Sequence, residues 1–462
     1  MSDIPEVADK LSHAVRFRTV SYGPERRADR KELRSLYAYL KRAFPGVHRA
    51  LDLKPLGERA MLYEWAGSDA SLPAALFVAH TDVVPAEPAD RWTHPPFAGE
   101  IAEGCVWGRG TLDTKHTVVA LLLAVEELLE QGFVPARSVC LAFGADEEID
   151  GRQGARLIAA DLRQRAVRLD CVIDEGGVIL EDLLPRAGRP VGLIGITEKG
   201  QFDLELLVRS PGGHAAMPPP RTAVGILGEA LALLESRPLP PRLTPAVRQF
   251  LKSQAEILRG PRRWLFRNLW LTGPLVLTVM ASSPDTASLV RSTRAPTMLE
   301  GSEKENVLAR EARAVINVRS LSGDSVASLT RRTARLFQGR RFRAVHGGSM
   351  VEVRVLDPES ASEAVPESPL PSPAWNSLVA ALARVYPEAY AAPFVFTMAT
   401  DSRHYRELCP CIYRFNPVVL KRAGLEMIHG VDERIPIDGL VKLVEFYRIF
   451  IRSHCGKEGS DG

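Results

Sequence analysis

The chain has 462 residues, more than one ordinary domain holds, and its 45% apolar content supports more than one buried core. Its 59 Lys and Arg against 56 Asp and Glu leave a formal net charge of +3, which argues against a general nucleic-acid binder with a strong basic face. No uninterrupted apolar stretch approaches the roughly 20 residues of a membrane-spanning helix.

The amino-terminal Met1-Ser2-Asp3-Ile4-Pro5 lacks the basic region and apolar core of a signal peptide. Six cysteines form no C-x-x-C pair, and Cys140 and Cys171 fall in apolar strands as buried thiols. A reducing, cytoplasmic setting without disulfides is expected.

From about 33 to 196, strand and helix patterns alternate, as in a mainly parallel sheet. The run Leu76-Phe77-Val78-Ala79-His80-Thr81-Asp82-Val83-Val84-Pro85 is an apolar strand with a histidine and an acid at its carboxyl end. Open α/β sheets build their sites there. Side chains two apart in extended backbone share a side, so Asp82 reaches back to one ring nitrogen of His80 and frees the other for a metal. The same triplet also serves as a plain strand-end hydrogen bond.

Gly108-Arg109-Gly110-Thr111-Leu112-Asp113-Thr114-Lys115 then precedes an apolar helical run, 118–129. Strand 139–143 ends in Gly144-Ala145-Asp146-Glu147-Glu148, and strand 171–173 ends in Asp174-Glu175-Gly176-Gly177. Isolated acids at strand ends usually cap helices or face water. Repeated in this way, with Ile428-His429-Gly430 far downstream, they suit a pair of borderline metals, zinc first and cobalt or manganese as alternatives.

After 196 the texture changes. Strand 201–209, helix 222–235, strand 313–319, helix 325–337 and strand 350–356 form an α+β sandwich pattern. The Ser-, Pro- and Glu-rich stretch 358–373 reads as a return linker, and 375–384 as the next helix. Segment 238–293 is longer than a compact inserted domain needs. It carries Arg259, Arg262, Arg263, Trp264, Phe266, Arg267 and Trp270 before the apolar 274–281. Two readings apply to 259–281: a helix packed on its own inserted domain with arginines turned outward, or a weak membrane-surface contact.

Together these segments resemble the M20 family of metallopeptidases and amidohydrolases, closest to the carboxypeptidase S and N-acyl-amino-acid hydrolase branch. The resemblance also rests on WTHPPFAG at 92–99, Glu198-Lys199-Gly200, Gly213-His214, Asp401-Ser402-Arg403-His404, YRFNPVV at 413–419 and HGVDERIP at 429–436. It implies an α/β, mainly parallel-sheet di-zinc catalytic domain in two parts, 1–196 and 362–462. An α+β sandwich lid or dimerisation domain, 197–361, is inserted between them.

The resemblance also implies roles. Asp113 bridges two divalent ions, one completed by His80 and Asp174, the other by Glu148 and His429. Asp82 orients His80. Glu147 is the general base that passes a proton from water to the leaving nitrogen; exchange of its role with Glu148, or participation of Asp146, are the alternatives. His214 polarises the scissile carbonyl from the lid. Asn306 and Arg319 hold substrate. Arg403 either holds the substrate carboxylate or pairs with an acid in the site wall. The expected reaction is cleavage of an amide next to a free carboxylate, in an N-acyl amino acid, dipeptide or peptide, with reverse condensation open to the same site. A homodimer is an open expectation.

The chain departs from the family pattern at Thr114, Ala215, Ala216, Leu308, Ala309 and Ala399, which bears on lid geometry and substrate preference. A Rossmann oxidoreductase fails because Asp113 stands where the third glycine after Gly108 and Gly110 belongs. The sequence holds no H-E-x-x-H, P-loop or G-x-S-x-G pattern. A catalytically silent binding protein on this fold is the remaining rival, but it would be expected to have lost a ligand or Glu147.

Overall fold

The computed structural model describes residues 4–23, 30–86, 88–183, 188–343 and 350–457. Strand Ala74–His80 is buried at every position and lies between strands Val139–Gly144 and Leu169–Asp174, parallel to both. A strand covered on both faces has no solvent side, which explains its unbroken apolar sequence. Its side chains still alternate. Ala75, Phe77 and Ala79 enter the core on one face, Leu76 and Val78 the core on the other.

Helices Lys115–Glu130 and Ile437–Cys455 cover the first face, with Phe450 packed edge-on against Phe77 at 5.8 Å. Helix Ala155–Gln164 covers the second through Ile158 and Leu162. Strand Ile412–Arg414 extends the sheet parallel to Leu169–Asp174. Strands Ala60–Trp65 and Asp52–Pro55 close one edge antiparallel. On the far side, strand Val191–Glu198 carries Tyr390–Phe396 parallel to it.

Only Lys199 separates Val191–Glu198 from Gly200–Arg209, the first strand of a second sheet. The chain returns beside its exit, where Gln201 bridges to Ser362 and Glu198 to Val365. In the second sheet Gly200–Arg209 lies between Glu311–Ser320 and Glu352–Val355, with Thr293–Glu300 on the outer edge, all antiparallel. Helices Ala223–Ser236 and Val326–Leu336 supply Leu227 and Leu329 to its core. Their starts are fixed by side-chain caps. Thr222 accepts from the Gly225 N–H at 3.1 Å, and Ser325 from Ser328 at 3.1 Å.

The long segment differs from the expectation of a helix packed on the inserted domain. It forms helices Pro245–Ile257, Gly260–Arg267, Leu269–Ala281 and Pro284–Val290. Their buried Val247, Leu251, Leu269, Val276 and Val290 join the core of the larger domain. Phe250 meets Phe394 of strand Tyr390–Phe396 edge-on at 5.5 Å, so these helices gain their apolar burial against the large sheet. Among the described residues, no helix is long and apolar enough to cross a membrane. Cys140 and Cys171 are buried.

Candidate metal centre and cavity

The centre forms at the carboxyl ends of three neighbouring parallel strands. His80 ends the middle one, and its Nε2 lies 2.9 Å from Asp113 Oδ1 and 3.2 Å from Glu175 Oε1. On the other side of the same carboxylate, His429 Nε2 lies 3.0 Å from Asp113 Oδ2 and 3.3 Å from Glu148 Oε2. Two groups of potential metal ligands, His80–Asp113–Glu175 and Asp113–Glu148–His429, thus share Asp113. A carboxylate suits the shared place because each oxygen serves one group.

One expected ligand, Asp174, stands differently from the rest. Asp174 ends its strand with both oxygens occupied: Oδ1 accepts from the Glu175 N–H at 2.8 Å and Oδ2 from the Ser402 N–H at 2.7 Å. Asp174 is outside both ligand groups, and Glu175, one residue on, takes the place beside His80. A strand alternates its side chains, so neighbouring acids at a strand end aim at different targets. The sequence motif contained both acids and did not say which one turns inward.

Asp82 faces the other ring nitrogen of His80. The His80 Nδ1 lies closer to the Asp82 carbonyl, at 2.9 Å, than to its carboxylate, at 3.5 Å. The carboxylate also accepts from the Ser21 hydroxyl at 2.8 Å and the Glu147 N–H at 3.2 Å. It therefore positions the turn that carries Glu147. That turn, Glu147–Ile149, is a 3-10 helix, in which successive side chains diverge by roughly 120°. Glu148 can face Asp113 and His429 while Glu147 lines the cavity.

Two residues outside the predicted set hold the loops together. Glu433 Oε1 accepts from the Gly110, Leu112 and Asp113 N–H groups at 3.0, 2.7 and 3.2 Å. Arg109 pairs with the other Glu433 oxygen and donates to the His429 and Gly430 carbonyls at 3.1 and 3.0 Å. His429 itself adopts a left-handed backbone, φ 61°, uncommon for a side-chain-bearing residue.

The electrostatics are those of crowded acids and imidazoles. Hydrogen bonds that its ring donates to Asp113 and Glu148 raise His429 to about 10. Burial works against the charge on His80, yet Glu175, Asp113 and Asp82 outweigh it and its pKa rises well above the usual value. Asp113, despite burial, is held well below the carboxylate range by the two histidines. Burial pushes Glu147 well up and Glu175 to about 8.

The donors fit divalent ions: imidazole nitrogens and carboxylate oxygens converge, and Glu148 Oε1 is buried without a hydrogen-bond partner among the described residues. They stand on a cavity of about 830 Å³. One wall is apolar, with Val178, Phe396, Met398, Val418, Leu420 and Leu425; Gln201, Arg319, Arg403 and Asn416 add polar groups.

Arg319 reaches this cavity from the second sheet. Its Nε donates to Asn317 at 3.2 Å, and its buried Nη1 has no partner among the described residues. Burial opposes the charge of Arg403, but the carboxylates of Glu147, Asp401 and Glu198 outweigh it. His214 and Asn306 are not brought to the cavity. Both are exposed and lie together, the Ala215 N–H donating to the Asn306 carbonyl at 3.0 Å and the Ala216 N–H to His214 Nδ1 at 3.0 Å.

The chain is similar to proteins of one family. The family description Peptidase family M20/M25/M40 matches residues 76–453. The chain is 37% identical over 459 residues to a probable carboxypeptidase S-like 2 of Dictyostelium discoideum, covering 98% of this chain and 86% of that protein. It is 34% identical over 446 residues to the N-fatty-acyl-amino acid synthase/hydrolase PM20D1 of Xenopus tropicalis, covering 96% and 84%. In fold it is similar to the M20 family metallo-carboxypeptidase Sso-CP2 from Sulfolobus solfataricus. The TM-score is 0.70 at 16% identity, over 98% of this chain and 99% of that one.

Proposed function

The chain belongs to peptidase family M20/M25/M40, and from that premise we propose that it hydrolyses N-acyl amino acids with an apolar acyl chain. Membership makes it an enzyme of the M20 hydrolase type, acting on amide bonds with divalent metal. The observation that carries the finer reading is the pair of ligand groups sharing Asp113 beside a cavity with one apolar wall. The similarity to a protein named as an N-fatty-acyl-amino acid synthase/hydrolase points the same way.

In this reading His80, Asp113 and Glu175 would hold one ion, and Asp113, Glu148 and His429 would hold the other. Bound there, divalent ions supply Lewis acidity toward a carbonyl and lower the pKa of water. Zinc suits this mixed nitrogen and oxygen set, with cobalt and manganese as alternatives. Glu147 takes the proton of the attacking water and delivers it to the leaving nitrogen; burial favours a carboxyl group that can hold that proton.

Arg319 offers its spare Nη1 donor to the substrate carboxylate. Arg403 places a guanidinium charge near the Glu147 carboxylate. The apolar wall takes the acyl chain, within the volume range of ordinary small-molecule sites. The same groups run the reverse condensation, since a catalyst lowers the barrier both ways and concentrations set the direction.

The test is amine release from N-acyl amino acids of increasing chain length and from dipeptides, after chelation and after return of zinc, cobalt or manganese. We expect no turnover after chelation, recovery with metal, and kcat/KM rising with chain length. Full activity in metal-free protein would overturn the metal role. Preference for dipeptides would overturn the acyl assignment.

A further inference from the structure

We propose that the outward face of helix Leu269–Ala281, with the arginines just before it, docks this protein on an anionic lipid bilayer. The helix buries Leu269, Thr272, Gly273, Val276 and Met280. Its opposite side presents two adjacent rows, Trp270–Pro274–Thr278 and Leu271–Leu275–Val279, each at the four-residue spacing that stacks side chains along one helix face. All six residues are uncharged and exposed, with Trp270 at 80% and Val279 at 62%. An ordinary surface helix carries charges on that side.

The charge distribution selects the occupant. From 257 to 284 the sequence contains Arg259, Arg262, Arg263 and Arg267 and no Asp or Glu. Arg267 is tied to Glu256 in a solvent-exposed pair, while Arg259 and Arg262 form no ion pair among the described residues. The same short helix, Gly260–Arg267, exposes Trp264. An uncharged helix face flanked by unneutralised arginines and exposed tryptophans matches the lipid interface, where apolar side chains enter the acyl boundary and cations meet headgroups. A second copy of the chain fits less well. A two-fold contact would set the patch against itself and bring eight arginines together.

The position of the patch gives it a use. Helix Pro284–Val290 follows directly, and its Asp285 pairs at 3.7 Å with Arg422, between Leu420 and Leu425 of the cavity wall. Helix Pro245–Ile257 of the same layer packs through Phe250 on the strand that supplies Phe396 to that cavity. A docked molecule would hold its apolar cavity beside the lipid surface. The docking claim itself stands without the proposed reaction.

The test is cosedimentation of the full chain with vesicles of phosphatidylcholine, alone or with about 30% phosphatidylglycerol, at low and high salt. We expect partitioning at least about tenfold stronger on the anionic vesicles, and its loss in high salt. Trp270→Glu combined with Leu275→Glu should reduce binding by a similar factor at an unchanged melting temperature. Arg262→Glu should weaken the preference for phosphatidylglycerol. No sedimentation at low salt, or equal sedimentation of the double variant, would overturn the proposal. So would a dimer in sedimentation velocity that the double substitution abolishes, which would assign the face to self-association.

Discussion

The Arg109 guanidinium and the Glu433 carboxylate form an ion pair with side chains 2% and 0% exposed. The pair joins two distant stretches of chain, the loop that carries Asp113 and the loop that carries His429. Removing one partner of a buried pair leaves the other charge without compensation, at a cost of about 3–5 kcal/mol. Glu433→Ala should therefore lower stability by about that amount. It should also weaken metal affinity by about 10- to 100-fold, the usual effect of losing a group that orients ligands. Chelator competition and thermal melts at saturating metal separate the two effects. Unchanged affinity would mean that the Asp113 and His429 loops hold their places without the pair.

The choice of Glu175 rather than Asp174 as a ligand is open to a direct test. Glu175→Gln should lose about one metal per chain by elemental analysis, because it removes an ionised oxygen beside His80. Asp174→Asn should keep both metals. Its cost should fall on stability, since its oxygens accept the Glu175 and Ser402 N–H groups, bonds to a charged acceptor that contribute about 1.5–3 kcal/mol. Loss of metal from Asp174→Asn alone would restore Asp174 as the ligand.

These cases show what the sequence could carry. Strand Ala74–His80 and its neighbours were legible because burial on both faces leaves an unbroken apolar run, and His80, Asp113, Glu148 and His429 stand out at strand and loop ends. The choice between Asp174 and Glu175 depends on which way a side chain turns where a strand ends, and composition does not encode that. Glu433 was visible in its motif, but its three backbone N–H donors lie about 320 residues away. The helices of 245–290 carry the same amphipathic pattern whichever domain they pack on, so their seating against the larger core was not readable.

The raised pKa values set a pH dependence for the metal-free protein. His429 is raised to about 10 from an ordinary value near 6.5, so its contribution to stability is complete below about 6.5 and is lost as pH rises through 10. Glu175, raised from about 4.5 to about 8 by burial, acts in the same direction, its contribution lost as pH rises between those values. Chelated protein should lose stability between about pH 6.5 and 10. Metal affinity should rise across the same window, by up to about tenfold per unit for each proton displaced. Melting curves with and without metal check both slopes. Metal-free protein that grows more stable across this window would contradict the assignment.

His214 raises the question of how the site is completed. It is exposed beside Asn306, and neither lines the cavity that Glu147 lines. If the imidazole serves the cavity, it arrives either by closure of the second sheet or from a partner subunit. The outer strand Thr293–Glu300 leaves Met298 and Leu299 exposed at 54% and 64%, an open edge of the kind that pairs with another chain. Glu147→Gln should retain metal and lose about 10²–10⁴ in kcat, the range for a positioned acid–base group. His214→Ala should also retain metal, and should lose about 10²–10³ in kcat if the imidazole contacts the developing oxyanion. Each variant alone is then nearly inactive. Mixed under conditions of proven subunit exchange, they distinguish the two arrangements. A shared site gives mixed dimers in which one cavity has both Glu147 and His214, and part of the activity returns. Closure within one chain gives no recovery, because every chain then lacks one of the two groups.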